Sequence, residues 1–299
     1  MLSAVVFLVF SSFFCGSPFH KNMEKTVTHT VQEHYQIQKI RKFPSKYLKR
    51  DVEIDIFLPP GYSGNSGKYP FLLLNDGQDN EAVRLKSTLD SLTRLGRIRN
   101  IIAVGVYAGH DRMHEYGVAA QADYKQRGSR AAAHTDFILK ELLPYLAKTY
   151  RIDSQGGGNA IAGYSLGGLS AFDLAWNHPA VFAKVGVFSG SFWWRSKAYE
   201  DGYVDNDRIM HSHIRAGKHK PGMKFWLQAG THDETDDRNR NGIIDAIDDT
   251  LDIISELARK GYRPQEDIEY YQMEGGQHNP HTWAQAMPVF LEWAFGGNR

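Results

Sequence analysis

The chain is predicted to be an α/β protein with a mostly parallel central sheet and helices on both faces. Three observations carry that prediction. Short apolar runs alternate with helix-length segments from about residue 34 onward. Runs such as "PFLLLND" are apolar almost throughout, as strands buried on both faces are. The strand-like Ala160-Ile161-Ala162 passes abruptly into a helix-like segment beginning at Leu166.

The N-terminal stretch "MLSAVVFLVFSSFFCGS" has the length and apolar character of an export signal over residues 1–17. The polar stretch from His20 to Thr30 follows, and one domain is expected over residues 30–299. The expected location is therefore periplasmic or secreted. Cys15 is the only cysteine, which excludes disulfides within a mature chain. A lipid anchor on Cys15 is disfavoured, because Phe13 and Phe14 stand where small residues are expected. Lys and Arg total 35 against 34 Asp and Glu, so charge makes no case for a nucleic-acid partner. No apolar stretch reaches the length of about 18 residues that a transmembrane helix needs.

Within the domain, "HYQIQKI" and "RDVEIDIFLP" read as an opening antiparallel pair, with apolar alternation at Val52, Ile54, Ile56 and Leu58. Further strands are expected at "PFLLLND", "NIIAVGVYA", "NAIAGYS", "KVGVFSG", "KFWLQAG" and "IEYYQME". Helices are expected near residues 81–95, 129–148, 166–178, 246–260 and 282–295, with a kink or restart at Pro144.

Gly163-Tyr164-Ser165-Leu166-Gly167 matches G-x-S-x-G at the strand-to-helix turn. Glycines two residues to either side let strand and helix approach, so a serine hydroxyl projects above the sheet near a helix N-terminus. Such a nucleophile needs a base and an acid on loops after later strands, in the order serine, acid, histidine. His278 follows the last strand in "YYQMEGGQHNPHTW", after an expected Gly275-Gly276 turn, and is the candidate base. His281 is the second choice, since it should begin the last helix. Asp233, in the loop after "KFWLQAG", is the candidate acid, with Glu234 also within reach. Backbone N–H groups of Leu166 and of Gly77 or Gln78 are the candidate oxyanion hole.

"GYSLGG", "LLLNDGQD", "FSGSFWW" and the terminal glycine-glycine-x-histidine segment together resemble the putative esterase family. The resemblance runs from about residue 35 onward. It implies the α/β-hydrolase fold, Ser165 as nucleophile and His278 as base, with the acid less uniformly placed. Enterochelin-type esterases, feruloyl esterases and mycolyltransferases are in that family. It thus implies a small-molecule or carbohydrate ester substrate: a siderophore lactone, a feruloylated or acetylated polysaccharide, or an acylated sugar. Trp193 and Trp194, after the sixth strand, could wall an acyl or aryl group, or pack as core. Arg112, Glu115 and Tyr116 either line the cleft or tie their loop down.

"DRNRNGIIDAID" matches a twelve-residue calcium loop. Asp237, Asn239, Asn241, the Ile243 carbonyl, Asp245 and Asp248 stand at the ligand positions and Gly242 at the sharp turn, with an aspartate where a bidentate glutamate is usual. The alternative is an acidic loop with Asp245 capping the next helix. The expectation is a structural Ca²⁺ and no cofactor for the chemistry. Two rival functions remain at this level: an acyltransferase, and a non-catalytic calcium-dependent carbohydrate-binding protein on a hydrolase scaffold.

Overall fold

Among the described residues, eight strands form one sheet. The computed structural model describes residues 33–64, 66–154 and 157–297, which fall in a single compact unit. The proposed leader and Cys15 lie outside the described residues.

The strands are β1 (Gln36–Ser45), β2 (Arg50–Leu58), β3 (Phe71–Asn75), β4 (Ile102–Val106), β5 (Ala160–Tyr164), β6 (Lys184–Phe188), β7 (Lys224–His232) and β8 (Ile268–Gln277). Their order in the sheet is β1-β2-β4-β3-β5-β6-β7-β8; β1 and β2 are antiparallel, as the alternation predicts, and β2 runs antiparallel to β4. Every pairing from β4 to β8 is parallel. β2 differs from expectation in its outward positions: Asp55 and Phe57 are buried too, because the sheet is covered on that face as well.

The helices are α1 (Leu85–Arg94), α2 (Arg112–Glu115), α3 (Ala131–Phe137), α4 (Leu143–Thr149), α5 (Leu166–Asn177), α6 (Ile209–Ala216), α7 (Asp245–Arg259) and α8 (Pro280–Phe295). Leu85 and Leu89 of α1 and Met287 and Phe290 of α8 bury one face of the sheet. Phe137, Leu146, Phe172, Ile214 and Ile253 bury the other. No break occurs at Pro144; a π-helical turn over Ile138–Leu142 joins α3 to α4 just before it. That widened turn accommodates a residue that clashes with the preceding turn and has no N–H to donate. α6 is absent from the sequence-based expectation. Its eight residues carry too few apolar positions for a periodic signal, and long-range contacts hold it. The buried Arg208 before it bonds Asp249 of α7 at 2.6 Å, and His211 bonds the Asp249 carbonyl at 3.0 Å.

Candidate active site

The parallel strands deliver their C-terminal ends to one edge of the sheet, where open α/β sheets place their ligands. Ser165 stands there between β5 and α5 with φ 54° and ψ −122°. Such a backbone costs a non-glycine residue about 1–3 kcal/mol, so the surroundings must impose it. They do so through close packing: a Cβ on Gly163 would lie 2.3 Å from the Gly167 carbonyl oxygen, and one on Gly167 would lie 2.3 Å from Asp76 Oδ2. The Ser165 N–H also donates to Phe188 O at 2.8 Å, tying the turn to β6. Its hydroxyl is half-buried and meets the Ser191 hydroxyl at 3.3 Å.

Asp233 is buried in the loop after β7. Its Oδ2 accepts the Gly230 N–H at 2.9 Å, and its Oδ1 accepts the Ser189 hydroxyl at 3.1 Å. Burial raises its pKa above the ordinary carboxylate value, against the lowering by these two bonds and by His278. Trp283 Nε1–H in turn donates to Ser189 Oγ at 3.0 Å. The same indole meets the His278 ring edge-on at 5.5 Å and stacks on Tyr164 at 4.8 Å. One tryptophan therefore touches the histidine directly and the aspartate through a serine.

His278 lies at the accessible rim just beyond β8. That strand runs four residues past Met273, through the expected Gly275-Gly276 turn, with a bulge opposite Gly230–His232. The glycines are thus part of an irregular strand end. Surrounding protein lowers the His278 pKa below 6.5; Asp233 opposes that shift and the Arg112 cation adds to it. No hydrogen bond joins His278 to Ser165 or Asp233 among the described residues, and its link to Asp233 is electrostatic. Hydrogen bonds of this kind are often open before substrate binds.

His281 is the second residue of α8, exposed and bonded to Gln285 at 2.8 Å. Glu234 has Asp245, Asp236 and Asp249 as charged neighbours, and burial, with these carboxylates adding to it, pushes its pKa up to about 7. It borders a cleft of about 360 Å³ with Trp193, Arg127 and Tyr124.

After β3, Asp76 adopts the left-handed conformation (φ 62°) and Gly77–Asp79 form one 3-10 turn. Gly77 packs on the β4 backbone, where a Cβ would lie 2.6 Å from the Gly105 carbonyl carbon. The N–H groups of Gly77 and Gln78 have no acceptor among the described residues. Leu166 opens α5, and the first N–H groups of a helix lack intrahelical partners. Arg112 grips Asp76 with two bonds of 2.7 Å. Tyr116 Oη accepts the Asp76 N–H at 3.2 Å, and Glu115 pairs with Arg50 at 2.7 Å. These three residues tie their loop down, and Arg112 also secures the turn beside Ser165.

The two tryptophans separate. Trp193 is partly exposed with the Arg127 guanidinium 4.9 Å from its ring centre. Trp194 is fully buried against Gly117 and Gly128, so the expectation that it walls a substrate is corrected: it is core.

In the 237–248 loop, Asp237 accepts the N–H groups of Asn241 and Gly242 at 3.1 and 2.9 Å. The amides of Asn239 and Asn241 converge on Asp248 Oδ2 at 2.9 and 2.8 Å. These side chains carry the oxygens a hard cation takes, but the asparagine oxygens here accept the Asn241 and Ile243 N–H groups at 3.1 and 2.8 Å, so the amides would have to turn to hold an ion. Asp245 does not join them. It is the first residue of α7, with Ile244 rather than Asp245 at the cap position. Its Oδ1 accepts the Arg238 N–H at 3.0 Å and pairs with that guanidinium at 3.3 Å. The cation at position 2 of the loop has taken the carboxylate expected at position 9. Among the described residues, no three His, Cys, Asp or Glu side chains gather at metal-binding distances, so any site here relies on the asparagines.

Ser189, Ser191 and Trp283 are the site residues that sequence reasoning passed over. All three fall inside segments already singled out, "FSGSFWW" and "HNPHTW", but no spacing rule assigns a serine to support an aspartate.

Relatives agree with this architecture. The uncharacterized protein YbbA of Bacillus subtilis is 23% identical over 260 residues, covering 85% of this chain and 97% of its own. A ferulic acid esterase structure superposes with a TM-score of 0.66 at 18% identity, covering 88% of this chain and 98% of that one. The enterochelin esterase of Shigella flexneri gives 0.67 at 21% identity, covering 86% of this chain and 57% of that one. These likenesses show the α/β-hydrolase fold. The profile of the family "Putative esterase" matches residues 45–294, and the chain belongs to that family of carboxylic ester hydrolases.

Proposed function

We propose that this chain is an exported serine esterase acting through Ser165, His278 and Asp233. The observation that carries the reading is the strained turn that raises Ser165 at the strand ends shared with the electrostatically linked Asp233 and His278. His278 takes the Ser165 proton as Oγ attacks the ester carbonyl carbon. The oxyanion that forms is met by the Leu166 N–H and by that of Gly77 or Gln78. Collapse expels the alcohol, which leaves with the proton from His278, and water then resolves the acyl-enzyme by the same route. Asp233 holds the imidazole and stabilises its charged form.

Trp193, with Arg127 beside it, supports an aryl or acyl group on the substrate. The structural relatives named ferulic acid esterase and enterochelin esterase support an aryl-bearing ester of the feruloyl or enterochelin kind, with acetyl-polysaccharide and acyl-sugar esters as the other substrates to test. Export rests on residues 1–17; no helix among the described residues is long and apolar enough to cross a membrane. The test of the nucleophile is labelling with a fluorophosphonate followed by peptide mass spectrometry. The adduct is expected on Ser165, and an adduct on another serine of a folded protein would reject the assignment.

The direction of the His278 shift sets the pH dependence. Its folded pKa lies below 6.5, so the ring is neutral and able to accept a proton at pH 7. As pH falls through that pKa the ring is protonated and kcat/KM should fall, with a midpoint below 6.5. A pH–rate profile whose acid limb lies above that value would contradict the assignment.

The 237–248 loop would hold a structural Ca²⁺ through Asp237, Asn239, Asn241, Asp248 and the Ile243 carbonyl, ordering the segment that follows Asp233. Calcium should raise the melting temperature of chelator-treated protein by a few degrees, and Asp248→Ala should remove the response. Identical melting curves with calcium and with chelator would show that the loop works without the ion.

A further inference from the structure

We infer that Arg112 is a positioning residue for the reaction, whose guanidinium ties the two arms of the oxyanion hole together and offsets the carboxylates that flank it. The inference rests on the esterase reading and deepens it, because it concerns the same site.

The geometry converges on one side chain. One arm is the turn after β3, where the N–H groups of Gly77 and Gln78 have no acceptor among the described residues. The other is the start of α5 at Ser165 and Leu166. Arg112 Nε and Nη2 donate to the two oxygens of Asp76, each at 2.7 Å, and Nη2 also donates to Tyr164 O at 3.4 Å. Asp76 opens the first arm, and Tyr164 directly precedes Ser165 in the second. The remaining bonds of the turn lead to the same segment after β4. Tyr116 Oη accepts the Asp76 N–H at 3.2 Å, and Gln78 Oε1 accepts the Ala108 N–H at 3.0 Å. That segment is itself fixed by the pair of Glu115 with Arg50 at 2.7 Å.

Charge gives the fork its second task. Asp76 is buried, and its carboxylate lies against the start of α5, where a Cβ on Gly167 would meet Oδ2 at 2.3 Å. Asp79 lies on the same turn; burial raises its pKa, Asp76 adds to the rise and Arg112 opposes it. Negative charge beside a developing oxyanion works against the donors that stabilise it. The guanidinium neutralises Asp76 through two parallel bonds, a match that a lysine ammonium cannot make. The same cation reaches the base. Burial lowers the His278 pKa, Asp233 from the loop after β7 opposes that, and Arg112 from α2 adds to it.

The test is steady-state kinetics on p-nitrophenyl acetate from about pH 5 to 9. It compares the parent, Arg112→Gln, Arg112→Lys and the double variant Asp76→Asn/Arg112→Gln, with melting temperatures to confirm folded protein. Arg112→Gln is expected to lower kcat about 100-fold with little change in KM, as losing an oxyanion-hole donor does. Its acid limb of kcat/KM should move to higher pH, because a cation that lowers the His278 pKa is gone. Arg112→Lys keeps the cation but not the fork, so kcat should fall while the acid limb stays near that of the parent. The double variant should recover about tenfold of the Arg112→Gln loss, since the stranded carboxylate is removed with its partner. A kcat for Arg112→Gln within about threefold of the parent overturns the inference. So does a fall in kcat with the acid limb unmoved, which would make the fork a staple for its loop and no more. If Arg112→Gln does not fold, parent-like kcat in Arg112→Lys overturns it instead. Ser165→Ala measured alongside separates the two claims. Turnover that persists there overturns the esterase reading and this inference with it, whereas loss there with unaffected Arg112 variants overturns this inference alone.

Discussion

Ser165→Ala is expected to lower kcat on p-nitrophenyl acetate and butyrate by about 10⁶-fold, the loss typical of a triad nucleophile. The substitution removes one oxygen and little else. Alanine carries the same Cβ through the same φ of 54°, so the strain of the turn is unchanged. The hydroxyl's contact with Ser191, at 3.3 Å, is long and half-buried, so its loss should barely move the melting temperature. A folded variant that kept activity within tenfold of the parent would remove Ser165 from the chemistry. The residual rate matters too. The donors proposed at Leu166 and at Gly77 or Gln78 remain in place, so turnover should stay above the uncatalysed reaction.

The second large effect separates the two acid candidates. Asp233→Asn is expected to reduce kcat by about 10⁴-fold, because an amide cannot hold the imidazole in its productive tautomer or stabilise its charged form. Asp233 already commits one oxygen to the Gly230 N–H and the other to the Ser189 hydroxyl. An amide group in its place must turn an N–H toward one of those donors. Glu234→Gln should leave kcat within a few-fold of the parent. Glu234 has Asp236, Asp245 and Asp249 as charged neighbours, and with its pKa pushed up to about 7 it is only partly ionised at neutral pH. Kinetics of both variants at pH 8 decide the matter, and a larger loss in Glu234→Gln would transfer the role to it.

The G-x-S-x-G turn was legible because its demand is local. A backbone forced through φ 54° between a strand and a helix needs glycines at 163 and 167, and those glycines are visible as letters. His278 and Asp233 were legible by position, since loops after successive parallel strands arrive at one edge of the sheet. Trp194 was not separable from Trp193 by sequence, because adjacent residues in an irregular loop carry no periodicity that tells buried from exposed. Asp245 was misplaced for a related reason. Spacing assigns it to the loop at position 9, but a charge two positions into the same loop, Arg238, competes for the carboxylate. Only the folded geometry shows which partner holds it.

The sequence by itself determined the class of fold, the eight strands, six of the eight described helices (α3 and α4 as one segment), the sharp turn at Ser165 and the family. Each follows from short-range periodicity, local steric demand or a motif in order along the chain. The tertiary structure alone decided the insertion of β4 between β2 and β3 and the bracing of α6 by Arg208. It also decided the Trp283–Ser189–Asp233 chain. These depend on residues tens of positions apart meeting in a buried setting, where a missing donor or an unpaired charge is expensive. That cost has no trace in a linear pattern, because it arises only when distant segments have excluded water between them.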